Sequence, residues 1–159
     1  MTPTYSVLEQ IEQAIVCRLK PVERCGFEIQ ALPQVQADME KPATKPRVTI
    51  SYRESERSEP KAMGVMLQER TFTFQVTFQA RVLRGTEGIY KLMAAVESLL
   101  MGFMPPHCDR IQLRNDRFDL FENNTWRWIL DISIRAMHMQ EFSDEEIGPL
   151  LKEVTFVEQ

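Results

Sequence analysis

The chain has 159 residues, 43% of them hydrophobic and 26% charged, with a formal net charge of −4, the make-up of one ordinary globular domain. Its longest apolar run, around Leu92 to Met104, is broken by Glu97 and Ser98, so no membrane span is expected. No basic n-region leads into an apolar stretch at the start, so export by a signal peptide is not expected, and no cluster of Lys and Arg points to specific nucleic-acid binding.

Ser6-Val7-Leu8-Glu9 has the pattern of a capping box, and Leu8, Ile11, Ile15 and Leu19 then recur at helical spacing. This predicts an amphipathic first helix that stops before Pro21. A short strand is expected over Phe27 to Leu32, and a loop over Pro33 to Pro46, which holds three prolines. Val48, Ile50 and Tyr52 alternate with Thr49, Ser51 and Arg53, which predicts a second strand. Arg53 to Lys61 mixes three cations with three anions and reads as a long exposed hairpin loop.

The strongest pattern lies between Leu67 and Leu83. Phe72, Phe74, Val76, Phe78, Ala80 and Val82 fall on one side, and Thr71, Thr73, Gln75, Thr77, Gln79 and Arg81 on the other. Only a strand keeps a period of two for so long. The aromatic side must pack on something, while the other is rich in uncharged Thr and Gln and suits water or another protein. Gly85 should end this strand and Thr86 should cap a second helix. Ile89, Leu92, Met93, Val96, Leu99 and Leu100 form that helix's apolar stripe, and Gly102 stops it. A strand is expected over Ile111 to Phe121, with a bulge within Arg114 to Asp119, then a turn at Asn123-Asn124. Trp126, Trp128, Leu130, Ile132 and Ile134 alternate with Arg127, Ile129, Asp131, Ser133 and Arg135 in a last long strand. The fold class is α+β: a largely antiparallel sheet with two main helices packed on one face.

Residues 1–140 read as that domain and 141–159 as a separate acidic arm. From Glu141 to Gln159 six carboxylates face a single cation, Lys152, a local charge of −5 that leaves the rest at about +1. Gly148-Pro149 should interrupt any helix begun at Ser143. Leu150 to Val157 then forms an apolar-containing arm that either folds back or docks on a neighbouring subunit.

Chemistry is hard to find. His107-Cys108-Asp109 follows a double proline, but adjacent residues rarely reach one metal and no further Cys or His stands at zinc spacing. His138 lies between two methionines. A pairing of Cys25 with His138 has no local motif around it. Gly85-Thr86-Glu87-Gly88 lacks the lysine of a phosphate loop, and Glu87 would repel phosphate. The three cysteines, Cys17, Cys25 and Cys108, form no CxxC pair and read as reduced thiols in a cytoplasmic setting. Trp126 and Trp128 share a face, which favours packing over base stacking. No catalytic residue, metal site or cofactor is expected.

The run FTFQVTFQARVL, the helix start GTEGIY, the helix end LLMGFMPP and the strand segment FDLFENNTWRWILDISI together resemble the tail terminator, or tail completion, proteins of long-tailed bacteriophages, in the Mu-like branch. Leu100, Gly102, Phe103 and Pro105 match the helix-end pattern, and Phe121, Trp126 and Trp128 the hairpin pattern. The similarity runs from Val7 to Met139. It implies a non-enzymatic subunit of a hexameric ring at the head-proximal end of the virion tail, made in the host cytoplasm. Such a ring stops tube polymerisation and offers the surface for head–tail joining. The implied partners are further copies of the chain, the tail tube protein, the sheath protein where the tail contracts, and a neck or connector protein. Another neck ring protein is the structural alternative, and a small α+β enzyme or ligand-binding domain the alternative of a different class. From the surface pattern, the expected interface residues are Arg53, Glu54, Glu56, Arg57, Thr73, Gln75, Thr77, Gln79, Arg81, Leu150, Leu151, Val154 and Phe156.

Overall fold

The structure, a computed structural model, describes residues 6–33, 45–62 and 66–139. Helix α1 spans Val7–Leu19. The Ser6 hydroxyl accepts from the Glu9 amide at 3.2 Å, and the Ser6 amide donates back to the Glu9 carboxylate at 3.5 Å, so the capping box is formed. Its buried residues include Ile11, Ile15 and Leu19. The α-helix gives way before Pro21 to a 3₁₀ helix, Lys20–Cys25, which ends at Gly26 in the left-handed region (φ 90°).

The strands are β1 (Glu28–Ala31), β2 (Arg47–Arg57), β3 (Lys61–Ala62), β4 (Met66–Ala80), β5 (Gln112–Glu122) and β6 (Thr125–Met139); helix α2 is Ile89–Leu100. They form one sheet in the order β1-β2-β4-β6-β5, with β3 also beside β4. Among the described residues only β1 with β2 is parallel, and the other pairings are antiparallel. Phe72, Phe74, Val76, Phe78 and Ala80 are buried together with Leu130, Ile132 and Ile134 of β6 and the inner faces of α1 and α2. Both helices therefore cover one face, as α+β patterning requires. Val82 departs from the expected face: β4 ends at Ala80, and Val82 is exposed in the following loop.

That loop also corrects the start of α2. Its N-cap is Gly88, without any side-chain cap, and Thr86 plays no part. The helix amides are met by backbone instead, with Ile89 N donating to Val82 O and Tyr90 N to Leu83 O. A Cβ on Gly88 would stand 2.5 Å from the Leu83 carbonyl oxygen, so the approach itself demands glycine. At the other end, Gly102 (φ 80°) turns the chain back. Its amide donates to Ile111 O, while Arg18 donates to Leu99 O and lies over the Phe103 ring. The Leu100-Gly102-Phe103-Pro105 pattern is thus a clasp joining α1, α2 and the approach to β5.

The bulge expected in the β5 strand is present twice, at Arg114 and Asp119, where the register with β6 shifts. Asn123 and Asn124 both have positive φ (53° and 58°), the two-residue turn that suits the twist of a hairpin. The mixed-charge segment differs from expectation. Residues 53–57 are not loop but the second half of β2, paired with Arg70 to Thr73 of β4 after a bulge at Arg53. Only Ser58 to Pro60 break the strand before β3 resumes on the same edge.

Candidate assembly surface

Beyond Phe72 the burial of β4 stops: none of Met66 to Thr71 is buried, and neither is any of Arg53 to Arg57. β2, β4 and β6 therefore run on as an arm past the helix layer. Arg53, Glu54, Glu56 and Arg57 all lie on it. Local ties hold the arm rather than a core. Arg70 donates to Ser55 Oγ at 2.9 Å and covers the Phe72 ring, and Glu69 N donates to Ser58 Oγ at 3.1 Å.

Thr73, Gln75, Thr77 and Gln79 occupy the sheet face away from the helices, and register explains why each is only half-exposed. Thr73 stands between Glu54 and Ser133, Gln75 between Ser51 and Asp131, Thr77 between Thr49 and Ile129, and Gln79 between Arg47 and Arg127. The uncharged stripe is thus bordered by ion pairs that β4's own sequence does not reveal. Arg47 meets Glu28 at 3.1 Å, Arg117 meets Asp131 at 2.5 Å, and Arg127 meets Asp119 at 3.6 Å. Such half-exposed pairs contribute little stability individually but fix a pattern of alternating charge. Gln75, Thr77 and Gln79 share a shallow cavity of about 190 Å³ with Arg53, Arg47 and Arg127. The Arg127 Nε is buried there without an acceptor among the described residues, a costly state for a polar donor. Arg81 does not join this face, because it lies exposed past the end of β4 beside Val82 and Glu87. Leu150, Leu151, Val154 and Phe156 lie outside the described residues.

Over residues 15–158 the sequence matches the Gp37 protein family. The chain belongs to that family. The match runs through the acidic segment, so for a Gp37-family chain this segment is part of the shared pattern, although the resemblance read from the motifs ended at Met139. Among solved structures, a chain of the virion of a native gene transfer agent (GTA) particle has the same fold. The TM-score is 0.54 at 14% identity, over 85% of this chain and 100% of that one. No curated protein matches the sequence.

A second surface of this Gp37-family chain was not foreseen. On the helix side, where β5 and β6 run out from under α2, five rings form a continuous path. Tyr90 meets Trp128 (6.0 Å between centroids), Trp128 meets Phe118 (5.3 Å), Phe118 meets Trp126 (6.1 Å) and Trp126 meets Phe121 (4.5 Å). The tryptophans do pack on the core, but Tyr90, Phe118 and Phe121 are 42%, 49% and 50% exposed. An aromatic cluster this open is the composition of an interface centre. The sequence pattern put Trp126 and Trp128 on one face; it assigned no face to Tyr90, Phe118 or Phe121 and could not tell that the helices stop short of them.

The His107-Cys108-Asp109 turn lines a shallow cavity of about 450 Å³ with Glu69 and Arg135. Burial first, then the charge of Asp109, pushes the Cys108 thiol up from its ordinary pKa. That is the reverse of what a thiolate nucleophile needs. His107 is exposed at a positive φ (62°). His138 pairs with Gln68 in the β4–β6 register, and its side chain lies outside the described part; Cys25 is an exposed free thiol. Among the described residues no three His, Cys, Asp or Glu side chains could hold a metal ion, and no helix is long and apolar enough to cross a membrane.

Proposed function

We propose that this protein is a structural, non-enzymatic subunit of a phage or phage-like particle. In this reading six copies form a ring on the head-proximal end of the tail tube, end its polymerisation and offer the surface for head–tail joining. The observation that carries it is the strand arm beyond Phe72, with the polar sheet face that continues it. This is a large, regular, register-locked surface whose strand arm holds no buried residue from Arg53 to Arg57 or from Met66 to Thr71. The fold shared with a chain of a gene transfer agent virion supports a place in such a particle.

Capping needs no catalysis. A ring that matches the tube end on one side and differs on the other occupies the template and halts growth. The alternating ion pairs around Gln75 and Thr77 select a partner's charge pattern. The tube, the sheath of a contractile tail and a neck or connector protein are the partners of this reading. A different ring position in the neck draws on the same surfaces.

The test is the solution mass across concentration by light scattering, alone and with purified tail tube, followed by electron microscopy of the tube ends. Hexamers, or one ring's worth of subunits at a single end of each tube, are expected. A chain that stays monomeric at every concentration and ignores tube ends overturns the reading.

A further inference from the structure

We infer that the cavity on the polar sheet face takes an acidic side chain of a partner protein, held by the guanidinium groups of Arg53 and Arg127. This rests on the reading of the chain as an assembling subunit, and it names the chemistry that the partner carries.

The charge of the cavity runs against that of the chain. The sequence has a net charge of −4, yet three arginines, Arg47, Arg53 and Arg127, line this space of about 190 Å³ against one carboxylate, Asp119. The three are not equally engaged. Arg47 has a side chain only 11% exposed and holds Glu28 at 3.1 Å, so its charge is answered within the chain. Arg127 approaches Asp119 only to 3.6 Å and makes no hydrogen bond among the described residues, although its side chain is 37% exposed. Arg53, exposed at the bulge of β2, has neither an ion pair nor a hydrogen bond among the described residues. Two guanidinium groups therefore border one concavity, and each presents paired donors that match the two oxygens of a carboxylate.

What surrounds the arginines decides which anion fits. Glu54 stands beside Thr73 and Asp131 beside Gln75 on the same face, and Asp119 lines the cavity itself. A nucleic-acid strand carries a charge about every 3.4 Å and would cross those carboxylates on leaving the site. A single Asp or Glu side chain places one charge in the concavity and none beyond it. Its flanking backbone lies over Gln75, Thr77 and Gln79, whose amides and hydroxyl offer both donors and acceptors. At physiological salt the attraction fades beyond about 8 Å, so the pocket reads charge locally and gives selectivity more than long-range capture.

The experiment titrates the full chain, labelled with nitrogen-15, with capped hexaglutamate at about 0.15 M salt. Hexaglutamine and a thymidine oligonucleotide are run in parallel. The reporters are the Nε–H signals of Arg53 and Arg127 and the side-chain amides of Gln75 and Gln79. Saturable shifts of these four with hexaglutamate alone are expected, and Arg53→Gln should weaken the binding about tenfold or more. Arg53 is exposed, so this variant keeps the fold; Arg127→Gln is the second. No saturable shift at these side chains, or binding that both variants leave unchanged, overturns the site. An oligonucleotide that shifts them as strongly overturns the choice of a protein carboxylate. Binding that appears only after Glu141, Asp144, Glu145, Glu146, Glu153 and Glu158 are replaced by Gln or Asn makes the occupant the chain's own acidic segment, and the partner proposal falls. The capping reading fails separately. A chain that binds hexaglutamate here yet ignores tube ends loses capping and keeps the pocket, whereas tube capping that Arg53→Gln and Arg127→Gln leave intact keeps capping and removes the pocket from it.

Discussion

Phe118 on the edge strand and Trp128 on its neighbour meet edge to face, with ring centroids 5.3 Å apart, and yet 49% of Phe118 faces solvent. The pair marks the line where the fold stops using aromatic residues for its own core. Phe74, on the same face two strands away, is wholly buried. Truncating these residues should therefore separate folding from assembly. Phe74→Ala should cost about 3–5 kcal/mol, because it removes a ring from a packed core and leaves a cavity. Phe118→Ala with Phe121→Ala should cost far less in a denaturant titration while abolishing self-association by light scattering. Equal losses of stability in the two experiments would mean that the exposed rings serve the fold and not a partner.

The polar sheet face permits the converse experiment. Gln75 and Thr77 line the shallow cavity with Arg47, Arg53 and Arg127, on the sheet face away from the helices. Thr77→Lys fills that cavity with a long cation next to three arginines. Thermal stability should change by about 1 kcal/mol or less, as for most surface substitutions, and binding to tube ends should be lost. Retained binding would move the tube contact from this face to the strand arm.

Much of this was legible in the sequence, for physical reasons specific to each element. Phe72 to Ala80 declared their face because a buried strand must alternate. Ser6 with Glu9, and Asn123 with Asn124, declared a helix start and a hairpin because backbone amides and positive φ demand those side chains. The strand over Arg53 to Arg57 was hidden for the opposite reason. It buries nothing, so no apolar rhythm marks it, and it exists through pairing with Arg70 to Thr73. The ion pairs of Arg127 with Asp119 and Arg117 with Asp131 depend on register across a bulged hairpin, which single-strand patterns do not contain. The openness of Phe118 depends on where α2 ends in space.

The start of α2 gives a sharper test of that distinction. Thr86 looks like a cap by residue type, but Gly88 holds the position, and its missing Cβ lets the Leu83 carbonyl approach. Thr86→Ala should leave stability within about 0.5 kcal/mol. Gly88→Ala should destabilise by about 1–3 kcal/mol, since a backbone oxygen cannot swing aside as a side chain can. The reverse ranking in a chemical denaturation series would restore Thr86 as the cap.

Glu97 allows a test by pH. It lies in the last turn of α2, partly buried, and its burial foremost and the charge of Asp116 second raise its carboxyl pKa. A carboxylate near a helix C-terminus is also unfavourably placed against the helix dipole. The native state holds this proton more tightly than the unfolded chain. The group's contribution is therefore most favourable below the unfolded value of about 4.3. It declines as pH rises through the raised folded value and stays reduced at neutral pH. Glu97→Gln removes the ionisation and should raise the melting temperature at pH 7, with the gain closing below about pH 4, where the parent carboxyl is protonated in both states. Asp116→Asn should recover only the smaller share, because burial is the leading cause. A gain that persists undiminished at pH 3 would assign the effect to packing. An Asp116→Asn gain as large as that of Glu97→Gln would instead make charge repulsion across the α2–β5 contact, and not burial, the main reason the carboxyl resists ionisation.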